Sequence, residues 1–179
     1  MIRQHSLRLW LLLCTMAAAL IISGCGGGSS SGSATTPTTD DSATISGTAA
    51  AGAPVSGIVG ARDASGETLT TTIETDGSFE LDLSDLDTPV LLYASGIAGG
   101  NAYQMLSVAF ADDLNGTANI TPLTDLIVGN AVGRNPQEFF NNPDFDLIQQ
   151  TAIETQEEAL KTRLKPLLDA LGVEEDFDL

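Results

Sequence analysis

Between Ala43 and Thr121 apolar residues recur at every second position, and turn residues interrupt them at short intervals. A chain patterned this way buries one face of short strands, so the segment reads as an all-β sandwich or barrel. The alternation is strictest in Phe79-Glu80-Leu81-Asp82-Leu83, where three apolar side chains face a core and two acids face solvent. The expected strands are Thr44 to Gly47, Val55 to Arg62, Thr68 to Glu74, Ser78 to Leu83, Val90 to Ser95, Ala102 to Phe110 and Thr117 to Ile120. Val90-Leu91-Leu92-Tyr93 is apolar on both faces, as a central strand would be. Asp63-Ala64-Ser65-Gly66 and Asp76-Gly77 supply reversals. At the second, a two-residue loop would set Ile73 against Glu80 and mix the faces. A three-residue loop, Thr75-Asp76-Gly77 with Gly77 left-handed, sets Ile73 opposite Phe79 and Leu69 opposite Leu83.

After Thr121 the period changes. Thr121 suits an N-cap and Pro122 the first helical position, so Leu123 to Val132 is expected as a helix closed by Gly133. Asn135-Pro136-Gln137-Glu138 repeats the signal, with Glu138 placed as in a capping box, and opens a short helix through Phe139-Phe140. A longer amphipathic helix follows, carrying Ile148, Ile153, Leu160, Leu164, Leu167 and Leu171, with Pro166 expected to kink or split it. The stretch from Pro122 to Gly172 is too short to enclose a core of its own, so its apolar stripe covers the sandwich or awaits more chain. Val173-Glu174-Glu175-Asp176-Phe177-Asp178-Leu179 resumes an apolar pattern and stops without a turn signal, so the chain is expected to be a truncated or interrupted version of a longer one.

Gly52-Ala53-Pro54-Val55-Ser56-Gly57, a strand, Asp63-Ala64-Ser65-Gly66, a threonine-rich strand and Thr75-Asp76-Gly77-Ser78-Phe79-Glu80-Leu81 together resemble the carboxypeptidase regulatory-like repeat. That resemblance covers about half of the chain after residue 24. It implies a transthyretin-like or Ig-like β-sandwich, mainly β with an α appendage, and an accessory binding role with no catalytic residues to transfer. The family usually continues into a Gly-Tyr strand, whereas this chain has Asp87-Thr88-Pro89-Val90-Leu91-Leu92-Tyr93. The run Asn119-Ile120-Thr121-Pro122-Leu123-Thr124-Asp125-Leu126-Ile127-Val128 is similar to the junction in bacterial lipoproteins where such a sandwich is followed by helices.

The N-terminus carries an address. Arg3 and Arg8 precede an apolar run from Leu9 to Ile22, and Ser23-Gly24 supplies small residues, the pattern of a secretory signal. The run has 14 residues, short of the roughly 20 that a helix needs to cross a bilayer. Ile22-Ser23-Gly24-Cys25 resembles the lipobox of bacterial lipoproteins, which implies cleavage between Gly24 and Cys25 and acylation of Cys25. A disulfide at Cys25 would need a partner, and Cys14, the only other cysteine, leaves with the signal. One acyl chain binds membranes marginally and two bind stably, so the three implied by the resemblance make a permanent anchor. Gly26 stands where aspartate marks inner-membrane retention in such lipoproteins, which implies the outer membrane, with no preference between its periplasmic and outer faces. The 17 residues from Gly26 to Ser42 have no large apolar side chain and read as a tether. The expected organisation is a signal over 1–24, lipidated Cys25 and tether over 25–42, a sandwich over 43–121 and a helical segment over 122–179.

The formal charge is −17, from 24 acidic and seven basic residues, while 42% of residues are hydrophobic, too many for a disordered acidic tail. Removing the signal takes two arginines and no acid, so the mature chain is more acidic still. Such a surface repels phosphate backbones, and no nucleic-acid partner is expected. His5, the single histidine, and both cysteines lie within the first 25 residues. The remaining chain cannot build a Ser-His-Asp or Cys-His site and lacks soft zinc ligands, so no catalytic, metal or cofactor residues are expected. Lys161 and Lys165 read as a solvated helix face beside Glu157 and Glu158, and Glu80 and Asp82 as solvated strand acids. Asp112-Asp113-Leu114-Asn115-Gly116 offers hard oxygens before a glycine, but Ala111 stands where an EF-hand loop needs its first acid, so an Asx turn is expected. Trp10 lies in the signal, and Tyr93 and Tyr103 read as core residues. The function expected is a non-catalytic envelope interaction or scaffold module. The alternative is a carbohydrate-binding accessory of a glycan-uptake system, which an exposed aromatic strip would favour.

Overall fold

Six strands form: β1 (Thr44–Thr48), β2 (Ser56–Arg62), β3 (Thr68–Thr72), β4 (Ser78–Asp82), β5 (Val90–Ala98) and β6 (Asn101–Ala109). Three helices follow: α1 (Pro122–Val132), α2 (Pro136–Asn141) and α3 (Gln150–Leu171). The computed structural model describes residues 43–172. The expected signal with Gly24, the expected lipidation site Cys25, the expected tether and residues 173–179 lie outside the described residues. The protein is mainly β, a sandwich with a helical appendage, as its patterning implies.

The larger sheet is antiparallel throughout, in the order β3-β2-β5-β6, and the smaller pairs β1 with β4. The doubly apolar segment opens β5, which lies inside the larger sheet. Its side chains alternate between two cores. Val90, Leu92 and Ala94 join Val59, Ala61 and Met105 against Ile45, Phe79 and Leu81 of the smaller sheet and Leu83 just after it. Leu91 and Tyr93 join Leu106 on the opposite face, packed with Val128 and Val132 of α1, Phe139 of α2 and Ile148. Each fully buried leucine or isoleucine stabilises by roughly 1.5–3 kcal/mol, and here both faces of one strand are used. The register places Gly60 opposite Tyr93, and a Cβ at Gly60 would lie 2.3 Å from that ring.

The strand expectations need two corrections. The loop at Asp76-Gly77 has the expected three residues: Glu74 N–H donates to Ser78 O at 2.8 Å, Gly77 N–H donates to Glu74 O at 2.9 Å, and Gly77 has φ +91. The strands on either side do not continue as a hairpin. Leu69 lies opposite Ala61 of β2, not Leu83, and Phe79 lies opposite Gly47 of β1. The loop passes the chain from one sheet to the other, which lets Ile73, Phe79, Leu81 and Leu83 all enter the core between them. The segment Thr117 to Ile120 runs parallel to β1 without becoming a regular strand. Ala118 N–H donates to Ser46 O at 2.8 Å and Ile120 N–H to Thr48 O at 2.9 Å. Between them, Thr48 N–H donates to the side-chain Oδ1 of Asn119 at 3.1 Å, so a side chain occupies one rung of the ladder.

The cap and proline signals are met at the first two helices, but the capping box expected at Glu138 is absent from α2 and stands at α1 instead, where Thr124 Oγ1 accepts from Thr121 N–H. Thr121 Oγ1 accepts from the N–H groups of Leu123 and Thr124, Pro122 is the first helical residue, and Gly133 closes α1 at φ +66. Asn135 Oδ1 accepts from the N–H groups of Gln137 and Glu138 at the start of α2. The long helix departs from expectation at its start. Ile148 precedes it, buried after a 3₁₀ turn over Phe145–Leu147. Pro166 does not split α3, which runs through it for 22 residues to a left-handed Gly172. Thr162, whose carbonyl loses its N–H partner to the proline ring, is exposed, so the lost bond does not leave a buried polar group. The apolar stripe divides: Ile153 packs on the helix-side core, while Leu167 and Leu171 are 56% and 68% exposed.

Two turn glycines separate backbone strain from crowding. Gly66 and Gly77 both have φ +91, but a Cβ at Gly66 meets nothing within 4 Å whereas one at Gly77 meets Ala49 O at 3.0 Å. Gly66→Val is expected to cost about 1 kcal/mol or more from strain at positive φ, and Gly77→Val measurably more, in paired urea unfolding curves. Equal losses would show that the contact with Ala49 is relieved without cost.

Candidate functional site

The carboxylates that could carry chemistry are mostly occupied with backbone. Three aspartates each stand two residues before a serine: Asp63-Ala64-Ser65, Asp76-Gly77-Ser78 and Asp82-Leu83-Ser84. Each accepts from both the N–H and the hydroxyl of its serine. Asp63 is buried at 2% exposure, and its Oδ1 also accepts from Glu67 N–H at 3.1 Å while Oδ2 accepts from Asp87 N–H at 3.4 Å. It ties the β2–β3 turn to the segment before β5. Burial opposes its charge, but the hydrogen bonds from Ser65, Asp87 and Glu67 together outweigh burial and hold its carboxyl below 3.8. The Ser78 hydroxyl lowers Asp76, and the Ser84 hydroxyl lowers Asp82. Ser84 Oγ in turn accepts from Ala43 N–H at 3.1 Å, which secures the start of the described chain.

A second group of polar residues clamps the edge of β6. Thr124 Oγ1 lies 2.9 Å from Leu106 O and accepts from Thr121 N–H at 2.9 Å. Asp125 Oδ1 accepts from Leu106 N–H at 3.0 Å. Both outward backbone groups of Leu106 are thereby satisfied by the first turn of α1, which covers that sheet edge. Asp125 is the one described acid whose pKa is clearly raised, because burial outweighs the hydrogen bond from Leu106. The motif Asn119 to Asp125 is therefore structural at Asn119, Thr121, Pro122, Thr124 and Asp125.

In the Asp112 to Gly116 loop, Asp113 and Asn115 also spend their oxygens on the backbone. Asp113 Oδ2 accepts from Phe110 N–H at 2.8 Å, and Asn115, at φ +62, accepts from Thr44 N–H through Oδ1 at 3.2 Å. In place of the expected Asx turn the loop forms a 3₁₀ turn over Ala111–Asp113 followed by a left-handed Asn115, because the Asp113 carboxylate turns back onto Phe110 N–H instead of forward. Among the described residues no three His, Cys, Asp or Glu side chains gather as metal ligands. Lys161 pairs with Glu157 at 2.7 Å and Lys165 with Asp169 at 3.4 Å along α3. Phe79, Tyr93 and Phe139 are buried, and Tyr103, Phe110, Phe140 and Phe145 pack against a core. Tyr93 meets Phe140 edge-on at 5.0 Å, and the Arg62 guanidinium lies 5.5 Å from the centre of the Phe140 ring.

Of the concavities, a cleft of about 150 Å³ between β6, residues 117–119, α1 and α3 is smaller than the roughly 300 Å³ at which small-molecule sites begin. A wider hollow of about 510 Å³ lies where β3 meets the smaller sheet, bounded by Thr48, Thr71, Thr72, Glu74, Phe79 and Glu80. It adjoins the other edge of the larger sheet. Ile73 N–H donates to Gly57 O and Asp63 N–H to Glu67 O, so the odd-numbered residues of β3 bond to β2. Thr68, Thr70 and Thr72 turn their N–H and C=O groups the other way. Among the described residues nothing pairs with these groups. Acids flank this edge at Glu67, Glu74 and Asp76, and Arg62, the one basic residue between 43 and 121, is engaged by Phe140. Reading the sequence alone missed this edge, although a threonine-rich strand between acids was visible; its place at the rim depends on which strands pair. Comparison with protein families, curated proteins and solved structures returns no match.

Thr124→Val keeps the side chain's shape but leaves the Leu106 carbonyl and Thr121 N–H without their hydroxyl partner. It is expected to cost about 1–3 kcal/mol in denaturant unfolding, and a neutral result would show that α1 does not depend on the clamp.

The aspartates give opposite pH signatures. Asp63→Ala is expected to cost about 1–3 kcal/mol at pH 7. Because folding lowers the Asp63 pKa, its contribution is full above 3.8 and is lost as pH falls through the folded value, so the gap from wild type narrows in acid. Folding raises the pKa of Asp125, so its charged form is penalised at neutral pH and relieved as pH falls through the raised value. Asp125→Asn should gain relative to wild type at pH 7 and lose that gain in acid, as measured by thermal melts across pH 2–7. Parallel pH profiles for the two variants would contradict these assignments.

Proposed function

We propose that this protein is a bacterial outer-membrane lipoprotein, anchored through acylated Cys25, whose sandwich serves as a non-catalytic interaction or scaffold module of the envelope. The observation that carries the reading is Ser23-Gly24-Cys25 directly behind a 14-residue apolar run that ends at Ile22 and is preceded by two arginines. No histidine or cysteine follows Cys25, and the acids best placed for chemistry hold backbone N–H groups instead. The proposed sandwich type is carboxypeptidase regulatory-like, on the turn motifs at Asp63 and Asp76. Among the described residues the aromatic side chains lie in or against the two cores, so the glycan reading gains no stacking platform.

The test is Cys25→Ala in a bacterial host fed labelled palmitate. Wild type is expected to carry label on the peptide that begins at Cys25 and to enter the detergent phase with outer-membrane proteins. The variant is expected to lose both properties. Membrane association that survives the substitution, or an unlabelled wild type, would overturn the proposal.

A further inference from the structure

We infer that the free edge of β3 docks an extended polypeptide segment bearing basic side chains, which adds to the larger sheet as a fifth strand. The site deepens the reading of this domain as an interaction module, and it does not depend on the lipid anchor.

The two edges of this sheet are treated differently. At β6, Thr124 and Asp125 satisfy Leu106 and a helix covers the strand. At β3, the outward N–H and C=O groups of Thr68, Thr70 and Thr72 repeat every second residue, the spacing an incoming strand requires. Exposed edges are ordinarily blunted by lysine, proline, a bulge or a covering element. β3 is five residues in regular register, Thr68-Leu69-Thr70-Thr71-Thr72, with no lysine or proline and no described element hydrogen-bonded along its outer side, where a hollow separates it from Phe79 and Glu80.

Charge selects the occupant. An antiparallel β3–β3 pairing between two copies centred on Thr70 would set Glu67 opposite Ile73 and bring Glu74 of the second copy to the neighbouring rung, on the other face of the sheet, at both ends. Acid then meets acid within about a Debye length at each end, and this repulsion of like net charge opposes self-pairing. The same acids, with Glu80 and Asp82 exposed on β4, favour lysine or arginine side chains on an added strand. Backbone pairing supplies affinity, and the acidic flanks reject both a second copy and an acidic segment.

The test uses the full-length chain in detergent with two synthetic ten-residue probes, one alternating lysine with valine and one alternating glutamate with valine. The lysine probe is expected to bind, to weaken with added salt, and to slow amide exchange at Thr70 and Thr72; the glutamate probe is not. Thr70→Pro removes an outward N–H but no bond to β2, and is expected to weaken binding by about tenfold or more. Should that variant fail to fold, as read by its thermal melt, Glu67→Lys/Glu74→Lys at exposed positions carries the test and is expected to weaken binding by a similar factor, about tenfold. Binding indifferent to these substitutions, equal binding of both probes, slowed exchange elsewhere only, or exchange at Thr70 and Thr72 already slow in the free protein would each overturn the inference. Failure here with palmitate still incorporated at Cys25 would remove the docking edge and leave the anchor, and the converse result would do the reverse.

Discussion

A strand that is apolar on both faces cannot be left at a surface, and Val90 to Tyr93 imposes that condition on everything around it. Val90 and Leu92 need a sheet beneath them, and Leu91 and Tyr93 need something above. The smaller sheet meets the first need and α1 with α2 meets the second. The helices are therefore more than a tail after the sandwich, because with Ile148 and the 3₁₀ turn before it they cover half of the apolar surface of β5. Gly60 belongs to the same solution, since no larger residue fits beneath the ring of Tyr93.

From that constraint follows the burden on residues 119 to 125. The chain must leave the smaller sheet, reverse and lay a helix over β6, all within seven residues. Asn119 completes a rung beside β1, Ile120 is fully buried, Thr121 caps, Pro122 starts the helix, and Thr124 and Asp125 grip Leu106. A run that would invite a functional reading for its density of polar groups is accounted for by backbone hydrogen bonds alone.

What could be read from the sequence was local. The caps at Thr121 and Asn135, the left-handed glycines at 77 and 133 and the alternation around Phe79 depend on residues within a few positions of one another, and the structure keeps all of them. What could not be read was which strands become neighbours. The loop at Gly77 is the same whether its strands pair or part, so the register of Leu69 against Leu83 was underdetermined. Thr117 to Ile120 looked like a strand because its side chains alternate, yet whether a side-chain amide or a backbone carbonyl fills a rung depends on how β1 lies alongside. The repeated Asp-x-Ser spacing was in plain view, but its meaning needs the serine hydroxyl turned back onto the carboxylate. The open edge of β3 is a property of the completed sheet and has no sequence signature beyond composition.

Asn115 and Asn119 bond to Thr44 and Thr48 from positions 71 residues later in the chain, while β4 holds the opposite side of β1. The first described strand is thus gripped along both sides by segments made well after it. Ladder bonds lie across the strand direction, so a pull on the chain ahead of Ala43, directed along β1, loads the bonds to both neighbours together instead of parting them one by one. The domain meets tension entering at its N-terminal end in shear, the geometry in which a short strand resists most.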